Sequence, residues 1–491
     1  MDRINNLLKN EKYHLFYILF SACLMRYFFS YGHIFSDDAY FNYLAYTLYK
    51  LDFTGDYIGY PISPLRINLL AITAFAYFIF GINEFATMFF PMIFSLANIF
   101  LAYRITLLIS ENKTTAIFAA FLMAFLPTDI AFATINFADA PSAFFINLGL
   151  YFLIKAHKEN KIIFSLYSGI SFFLSVQFKV NIFYIGFLLG LLWIYLLIKN
   201  RSLNQLILIS VSFVFLNLLT EGLVYLFFYG DFLYRFHQMD ANYFFGRNDH
   251  FTLGGAKGYA AEAEYWTAVL KRVFIDNVKS VYLRRFYLFL PVIAFFQSIN
   301  FIRKKEYAYL AFWFLGLSVM FVGFTASFSR YQPLVVHLSW YIFPLFIPSV
   351  IISSIFLMRL NITFRKTLLI VYLAGSIFMS FKYQEYFDIQ GLSGFKSFVN
   401  QHPAEKIYTD HFTKYSIDFL DGFPQKIRTQ RIMGQEFNFH RLEKNSLVVY
   451  NFYHIEELES QGFYFPDFSI LKSGEFKPIF QSGGFQVFEK I

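Results

Sequence analysis

Residues 36–50 read "SDDAYFNYLAYTLYK", a stretch in which two adjacent acids directly follow an apolar run. Ser36 is a suitable helix N-cap, which places Asp37 and Asp38 in the first turn, where the helix dipole favours their charged forms. The helical spacing also produces one apolar stripe, made by Phe41, Leu44, Ala45 and Leu48. The stretch therefore predicts an amphipathic helix on a membrane surface, with an acid pair at its start.

The composition is that of a membrane protein. Of 491 residues, 57% are hydrophobic and only 15% are charged, and the chain has 71 Phe and 36 Tyr. Several long uncharged runs are suited to span a bilayer. The net charge of +8 comes mostly from short loops between apolar runs, so it indicates membrane topology rather than a nucleic-acid partner. The single cysteine, Cys23, excludes an intrachain disulfide.

Apolar runs near the ~20 residues that a bilayer requires predict about eleven spans. They cover residues 13–32, 86–109, 114–131, 140–155, 162–178, 180–198, 205–229, 284–301, 306–327, 341–358 and 367–382. Basic clusters fall on one side of this arrangement, which predicts a cytoplasmic amino terminus and a carboxyl terminus outside. The short apolar run 66–82 is placed on the outer membrane surface, and the alternative is that it spans while another segment is miscounted.

From about residue 384 the composition becomes that of a soluble domain. The segments "KIYTD", "SLVVYNFY" and "FQVFEKI" have the pattern of strands, and helical stretches lie near 411–420 and 454–460. We therefore predict two parts, a transmembrane domain over residues 1–383 and a small extracytoplasmic α/β domain over residues 384–491.

Three acids face outward on this topology, namely Asp37, Asp38 and Asp139 of "INFADAP". An acid at a membrane boundary can simply be hydrated, but like charges held close together raise one carboxyl pKa, which suits a general base. Without paired His or Cys residues the sequence predicts no metal site and no cofactor. The alternative is that the three acids share a divalent cation.

Basic residues are predicted on the same side. Lys179 lies in "SVQFKVN", a tight outer turn, where it is either a snorkelling lysine or a partner for a lipid phosphate. Arg26, inside the first span, either snorkels to the surface or faces an internal site. The other outward basic residues are Arg66, Arg235, His237, Arg247, Arg284, Arg285, Arg330 and His337.

Four segments occur in a distinctive order: "SDDAYFNYLAYTLYK", "ISPLRINLLAITAFAYFIFGINEFA", "INFADAPSAFF" and "FFLSVQFKV". In this order they resemble the GT-C superfamily of membrane glycosyltransferases. The nearest branch is that of the dolichyl-phosphate-mannose–protein mannosyltransferases and the bacterial aminoarabinose transferases. The similarity covers about residues 30–185, and the rest matches in layout, with many spans followed by a soluble domain.

The resemblance implies an inverting transfer outside the membrane, from a sugar on a dolichyl or undecaprenyl phosphate to a hydroxyl or similar nucleophile of a protein, lipid or glycan. Asp37 matches the family's general base, and Asp38 matches the second acid, which orients the first. Asp139 matches the acid of the Asp-x-Pro motif, which shapes the substrate site. Lys179 matches a lysine placed to meet the lipid phosphate.

The sequence departs from the family where basic residues are expected. It has "ATMFF" where an Arg often follows "EFA", "YPISPLR" where a Lys often precedes Pro-Pro-Leu, and "SWYIFP" where an Arg-Tyr is usual. Arg66, Arg330 and His337 are therefore the candidates for the missing phosphate contacts. A transporter or lipid-linked-sugar flippase is the alternative function, and a non-catalytic membrane scaffold or receptor is a third.

Overall fold

The structure is a computed structural model. It describes residues 11–52, 62–180, 182–199, 201–244, 262–325, 331, 334, 339–389, 391–403, 405–423, 428–432, 437–460 and 465–491. Over these ranges the chain is mostly helical, and one five-stranded sheet lies near the carboxyl terminus.

The helices fall into three groups along the chain. The first group is α1 (Glu11–Phe28), α2 (Asp37–Lys50), α3 (Ile67–Phe80), α4 (Glu84–Ser110), α5 (Lys113–Ala124), α6 (Pro127–Phe132), α7 (Asp139–Glu159) and α8 (Ile162–Phe178). The second is α9 (Ile182–Lys199), α10 (Arg201–Tyr229), α11 (Tyr234–Phe244), α12 (Glu262–Lys271), α13 (Val278–Tyr282), α14 (Leu290–Lys304), α15 (Ala308–Gly323), α16 (Phe346–Met358) and α17 (Ile362–Ile389). The third is α18 (Leu392–Gln401), α19 (His411–Leu420) and α20 (Phe452–Ser460).

Most predicted spans overlap one helix, but the predicted span 114–131 is divided between α5 and α6, and the spans 284–301 and 341–358 each begin in a short 3₁₀ segment. Not every helix has the length and composition of a span. Within the described ranges, four helices are long and apolar enough to cross a membrane. These are Glu84–Ser110, Leu203–Tyr229, Tyr341–Met358 and Ile362–Phe387. Other apolar helices, such as Ile162–Phe178 and Ala308–Gly323, are shorter. The count of eleven spans therefore stays a prediction.

Basic residues are concentrated in short connections at one end of the helical bundle. Consecutive helices joined by a few residues run antiparallel, so the turns after α4, α7 and α14 lie away from the start of α7. Lys158 pairs with Glu111 at 2.6 Å, which joins the turns after α7 and α4, and Arg359 pairs with Glu306 at 2.7 Å, which joins the end of α16 to the turn after α14. We call this side the basic end, and the opposite side, at the start of α7, the acidic end.

The run 66–82, predicted to lie on the surface, forms α3, with only 14 residues. A helix of that length is about 21 Å long, which is shorter than the ~30 Å of a hydrocarbon core. It ends at Gly81, which has a φ of 75°. The helix packs against α2, α4 and α8, and its placement on the membrane surface stays a prediction.

Helix α2 begins at Asp37 as predicted, with Ser36 in the N-cap position, but the Ser36 side chain makes no capping hydrogen bond. The Asp38 carboxylate turns back instead, and it accepts the backbone N–H groups of Ser36 and Ile34 at 2.8 Å each. The helix start is therefore fixed by the second acid of the pair.

The carboxyl-terminal sheet has strands β1 (Ile407–Thr409), β2 (Thr429–Arg431), β3 (Leu447–Asn451), β4 (Phe476–Ser482) and β5 (Phe485–Lys490), in the order β2-β1-β3-β5-β4. The first three are parallel, and β5 is antiparallel to both β3 and β4. Strands β1, β3 and β5 and helices α19 and α20 confirm the predicted elements. Strands β2 and β4 were not predicted.

The sheet domain packs directly on α2. Tyr43 stacks on Tyr415 with ring centroids 4.4 Å apart, and Tyr46 stacks on Phe423 at 4.5 Å. Helix α2 is therefore largely buried, and its burial extends beyond the predicted apolar stripe to residues such as Tyr40 and Asn42. The predicted boundary at residue 384 lies inside α17 and stays a prediction.

Candidate active site at the acidic end

Five of the seven predicted site residues come together at the acidic end. Asp37 and Asp38 begin α2, Arg66 immediately precedes α3, Asp139 begins α7, and Lys179 follows α8. The charge of Asp37 interacts with those of the other four. The remaining two, Arg330 and His337, lie outside the described residues.

The Asp37 carboxylate is available for chemistry. Its side chain is half-buried, and it makes no hydrogen bond or ion pair within the part of the chain that the structure describes. A general base needs such an unoccupied carboxylate within reach of a substrate proton.

The surroundings of Asp37 favour proton uptake. Burial raises the pKa of the Asp37 carboxyl, and although Arg66 lowers it in part, the Asp38 and Asp139 carboxylates raise it again, so that it lies above its usual value. The Arg66 guanidinium lies over the Phe41 ring, 4.6 Å from its centroid. The ring of Phe41, on α2, thus holds the positive charge of Arg66 in position.

Asp38 has a different environment from its neighbour. Its side chain is fully buried, and its Oδ2 lies 2.7 Å from Nδ1 of His33. Burial alone would raise the pKa of Asp38, but His33 and the N–H groups of Ile34 and Ser36 hold it below its usual range. Asp38 is therefore an ionised, structurally occupied acid, which leaves Asp37 as the available member of the pair.

His33 is a site residue that sequence reasoning missed. The imidazole is 1% exposed, and the Phe419 ring of the sheet domain lies 4.9 Å from it. Its Nδ1 also lies 3.2 Å from the Asn42 amide, which accepts a hydrogen bond from Asn136 at 2.8 Å. In the sequence, the one sign of this role is that His33 is a polar residue that follows an apolar run and precedes the acid pair. Its hydrogen-bond partners depend on the tertiary fold and cannot be read from the sequence.

Asp139 and Lys179 form a buried ion pair. Lys179 Nζ lies 2.6 Å from Asp139 Oδ1, and the two side chains are 8% and 5% exposed. Helices α7 and α8 form a hairpin, so the start of one meets the end of the other. Lys179 Nζ also lies 3.8 Å above the Tyr341 ring. The snorkelling alternative for Lys179 is therefore wrong, since the ammonium faces the protein interior.

Arg26 also faces the interior, so the snorkelling alternative is wrong for this residue too. It is fully buried, it pairs with Asp129, and its Nε donates to Ser95 Oγ at 2.7 Å. Two further donors reach backbone carbonyls of Ala22 and Ala124 at 3.0 and 3.1 Å. This network joins α1, α4, the last residue of α5 and α6.

Arg235 belongs to a separate cluster. It is buried, it pairs with Glu221, and it donates to Gln177 Oε1 at 2.9 Å. Its charge is therefore already neutralised by a carboxylate on α10.

No group of three His, Cys, Asp or Glu within the described ranges is placed to hold a metal ion. A cation shared by the three acids would have to compete with His33 for Asp38 and with Lys179 for Asp139.

The chain is similar to known proteins in part of its sequence and in its fold. Residues 67–225 match the family model described as dolichyl-phosphate-mannose-protein mannosyltransferase. The fold is similar to that of ArnT from Cupriavidus metallidurans in the apo state, with a TM-score of 0.61 and 12% identity over 96% of this chain and 97% of that chain. The same protein bound to undecaprenyl phosphate gives a TM-score of 0.58 at 12% identity, over 97% of this chain and 96% of that chain.

An oligosaccharyltransferase from Archaeoglobus fulgidus, tethered with an acceptor peptide that contains the NVT sequon, gives a TM-score of 0.51 at 13% identity. That match covers 85% of this chain and 64% of the archaeal one. A comparison with curated protein sequences gives no match. The resemblance to the GT-C membrane glycosyltransferases is thus confirmed, by the fold over nearly the whole chain and by the family model over residues 67–225.

We expect Arg66→Gln to move the acid limb of the pH–rate profile to higher pH. Arg66 is the main opposing influence on the raised pKa of Asp37, and a base works only when deprotonated. Removing the positive charge raises this pKa further, so activity is lost at a higher pH as the solution is acidified. The measurement is the rate of the catalysed reaction between pH 4 and 8. Arg66→Lys is the control, because it keeps the positive charge. An unchanged acid limb would show that Arg66 does not act on the base.

Proposed function

We propose that this protein is an inverting glycosyltransferase that moves a sugar from a polyprenyl phosphate to an acceptor, with Asp37 as general base. The observation that carries the proposal is the half-buried carboxylate of Asp37, which has no partner among the described residues and is grouped with the cations Arg66 and Lys179 at one end of a helical membrane bundle. The similarity in fold to an ArnT bound to undecaprenyl phosphate supports the donor class.

The proposed reaction is a direct displacement at the anomeric carbon. The acceptor nucleophile, a hydroxyl or a similar group, attacks from the face opposite the phosphate, and Asp37 takes its proton. The bond between the anomeric carbon and the phosphate oxygen breaks, and the polyprenyl phosphate leaves as an anion. The protein supplies the base, the alignment of the two substrates and cations for the leaving phosphate.

The other site residues have supporting roles in this mechanism. Lys179 and Arg66 contact the donor phosphate, and we assign Arg330 and His337 the same role. Asp139 orients Lys179 through the buried ion pair and helps to shape the substrate site. Asp38, held by His33, fixes the start of α2 and so the position of Asp37.

The arrangement of charges supports the proposed orientation. The basic end would face the cytoplasm, with the amino terminus, and the acidic end with the sheet domain would face outward. The chain would cross the membrane about eleven times. Transfer at the acidic end would bring a lipid-linked donor and a water-exposed acceptor to the same boundary.

The acceptor is a protein, a lipid or a glycan. The archaeal oligosaccharyltransferase of similar fold was captured with an acceptor peptide, so a peptide hydroxyl or amide is a natural first candidate. A lipid acceptor is equally compatible with a site at the membrane boundary.

The test uses the full chain in proteoliposomes, with a series of radiolabelled undecaprenyl- and dolichyl-phosphate sugars and membrane extract as acceptor. Label that leaves the lipid fraction for another product supports the proposal and identifies the donor. If label stays on the lipid while the lipid changes leaflet, the flippase alternative replaces it. If neither happens with any donor, the protein is a scaffold or receptor.

We expect Lys179→Gln to raise the KM for the donor about tenfold or more, with a smaller effect on kcat. The variant removes a charge-assisted contact to the phosphate, while the acceptor site and Asp37 remain. Lys179→Arg restores part of the affinity, since it keeps the charge and the pairing with Asp139. The measurement is initial rate against donor concentration. A loss confined to kcat would assign Lys179 to Asp139 alone rather than to the donor.

A further inference from the structure

The buried side chain of Arg235 contacts three other segments of the chain. It is 4% exposed and lies at the start of α11, which follows α10 after a short connection. Its Nε donates to Oε1 of Glu221, on α10, at 2.9 Å. Its Nη2 donates to Oε1 of Gln177, near the end of α8, at 2.9 Å and to the backbone carbonyl of Leu65 at 3.4 Å. One guanidinium therefore joins α10 and α11 to the end of α8 and to the residues that precede α3.

These contacts lie next to the two cations of the candidate site. Leu65 immediately precedes Arg66, and Gln177 lies two residues before Lys179. The same Nη2 atom of Arg235 donates to both segments. The position of this one atom therefore limits how far the segment that carries Arg66 can move from the segment that carries Lys179.

The carboxylate of Glu221 holds Arg235 in this position. Besides its contacts with Arg235, its Oε1 accepts a hydrogen bond from the Tyr225 hydroxyl at 2.6 Å, and its Oε2 accepts one from Nε2 of Gln177 at 3.1 Å. The Gln177 amide is thus hydrogen-bonded through both its oxygen and its nitrogen. Because the ion pair has no net charge, we do not expect it to bind a phosphate directly, and its effect on a substrate would be through the segments that it holds.

Apolar side chains cover this network. Met239, on α11, and Leu65 belong to one buried apolar cluster. Val180, which directly follows Lys179, packs against the same cluster. Hydrogen bonds and ion pairs in such a water-poor environment are stronger than in water and favour one arrangement of the groups that they join.

We propose that Arg235 is a positioning residue for the donor phosphate, and that it acts through Arg66 and Lys179. Held by Glu221, its guanidinium sets the separation of the two cations, so that both reach the phosphate at once without a further cost of ordering them. This inference rests on the proposed function, which assigns Arg66 and Lys179 to the phosphate of a lipid-linked donor. It adds that α11 contributes to donor binding without contacting the donor.

The test measures the binding of radiolabelled undecaprenyl phosphate to the full chain in detergent, with undecaprenol as the probe that lacks the phosphate. The double variant Arg235→Met/Glu221→Gln removes the ion pair without leaving an unpaired buried charge. Gln177→Met removes only the link to α8 and keeps the ion pair. We expect binding of undecaprenyl phosphate to weaken about tenfold in the double variant and about threefold in Gln177→Met, as for the loss of a charge-assisted and of an ordinary hydrogen bond. Binding of undecaprenol should be unchanged in both.

Two controls separate positioning from a purely structural role. His237→Gln changes a residue of the same helix that is 63% exposed and pairs with Asp231, so it should leave both affinities unchanged. In the background Arg66→Gln/Lys179→Gln, the Arg235→Met/Glu221→Gln change should have no further effect, because the two residues through which it acts are absent. A further tenfold loss in that background, or an equal loss of undecaprenol binding, would overturn the proposal.

Binding and transfer can fail independently. If the wild-type protein prefers undecaprenyl phosphate to undecaprenol but transfers no sugar, the proposed reaction is wrong and the positioning role stands. If it transfers sugar and the Arg235→Met/Glu221→Gln variant binds undecaprenyl phosphate as tightly as the wild type does, the positioning role is wrong and the reaction stands. If the wild-type protein does not distinguish the two lipids, the positioning role is overturned, since there is then no phosphate contact for Arg235 to support.

Discussion

Asp37→Asn is expected to lower the rate of sugar transfer by about 100-fold or more, in line with the ~10²–10⁴-fold contribution of a general base. The amide cannot accept the acceptor's proton, yet it has nearly the same shape as the carboxylate. Because Asp37 makes no hydrogen bond or ion pair within the described ranges, the substitution disrupts no contact there. The measurement is the single-turnover rate with saturating donor, together with the unfolding temperature, which we expect to be unchanged.

Asp38→Asn is the matched comparison. It weakens the contacts to His33 and to two backbone N–H groups at the start of α2, so both activity and stability should fall. If Asp37→Asn transferred sugar at the wild-type rate, Asp37 would not be the base. Asp139 would then be the next acid to replace.

Arg26→Met is expected to have the largest effect on stability, a loss of about 3–5 kcal/mol, which is typical when one partner of a buried ion pair is removed. Arg26 and Asp129 are both fully buried, and the second oxygen of Asp129 makes no hydrogen bond to any residue that the structure describes. Without the guanidinium, the carboxylate keeps, among the described contacts, the hydrogen bond from Ser95. The measurement is the free energy of unfolding in detergent or lipid.

The double variant Arg26→Met/Asp129→Asn should recover part of this loss, because it removes the uncompensated charge. Arg359→Met is the control, since it breaks an ion pair with Glu306 whose side chains are 36% and 50% exposed. An exposed pair contributes about 0–1 kcal/mol. If Arg26→Met cost no more than Arg359→Met, the buried network would have no special part in holding α1, α4, α5 and α6 together.

The helices and the acid pair could be predicted from the sequence because both depend on local patterns. Long apolar runs identify membrane helices, and an N-cap followed by acids identifies the first residue of α2. The pairing of Lys179 with Asp139 and of Arg26 with Asp129 could not be predicted. Each joins residues at least 40 positions apart, and periodicity has no information on which helices become neighbours.

The two missed strands show a different limit. Strand β2 has three residues, "TQR", and no hydrophobic alternation. Strand β4 reads "FKPIFQS", and its register shifts between Pro478 and Phe480, which breaks the period of two that identifies a strand. Both are edge strands of the sheet, where short or irregular segments are tolerated because only one neighbour is paired.

The tyrosines of α2 that stack against the sheet domain have a consequence for how the molecule can be divided. If the chain were cut after α17, Tyr43 and Tyr46 would lose their aromatic partners, and His33 would lose the ring of Phe419. The helical part would then expose the aromatic side chains that surround Asp37 on α2. The sheet domain therefore covers the helix that bears Asp37, and a substitute domain would need aromatic side chains at the same positions to cover it.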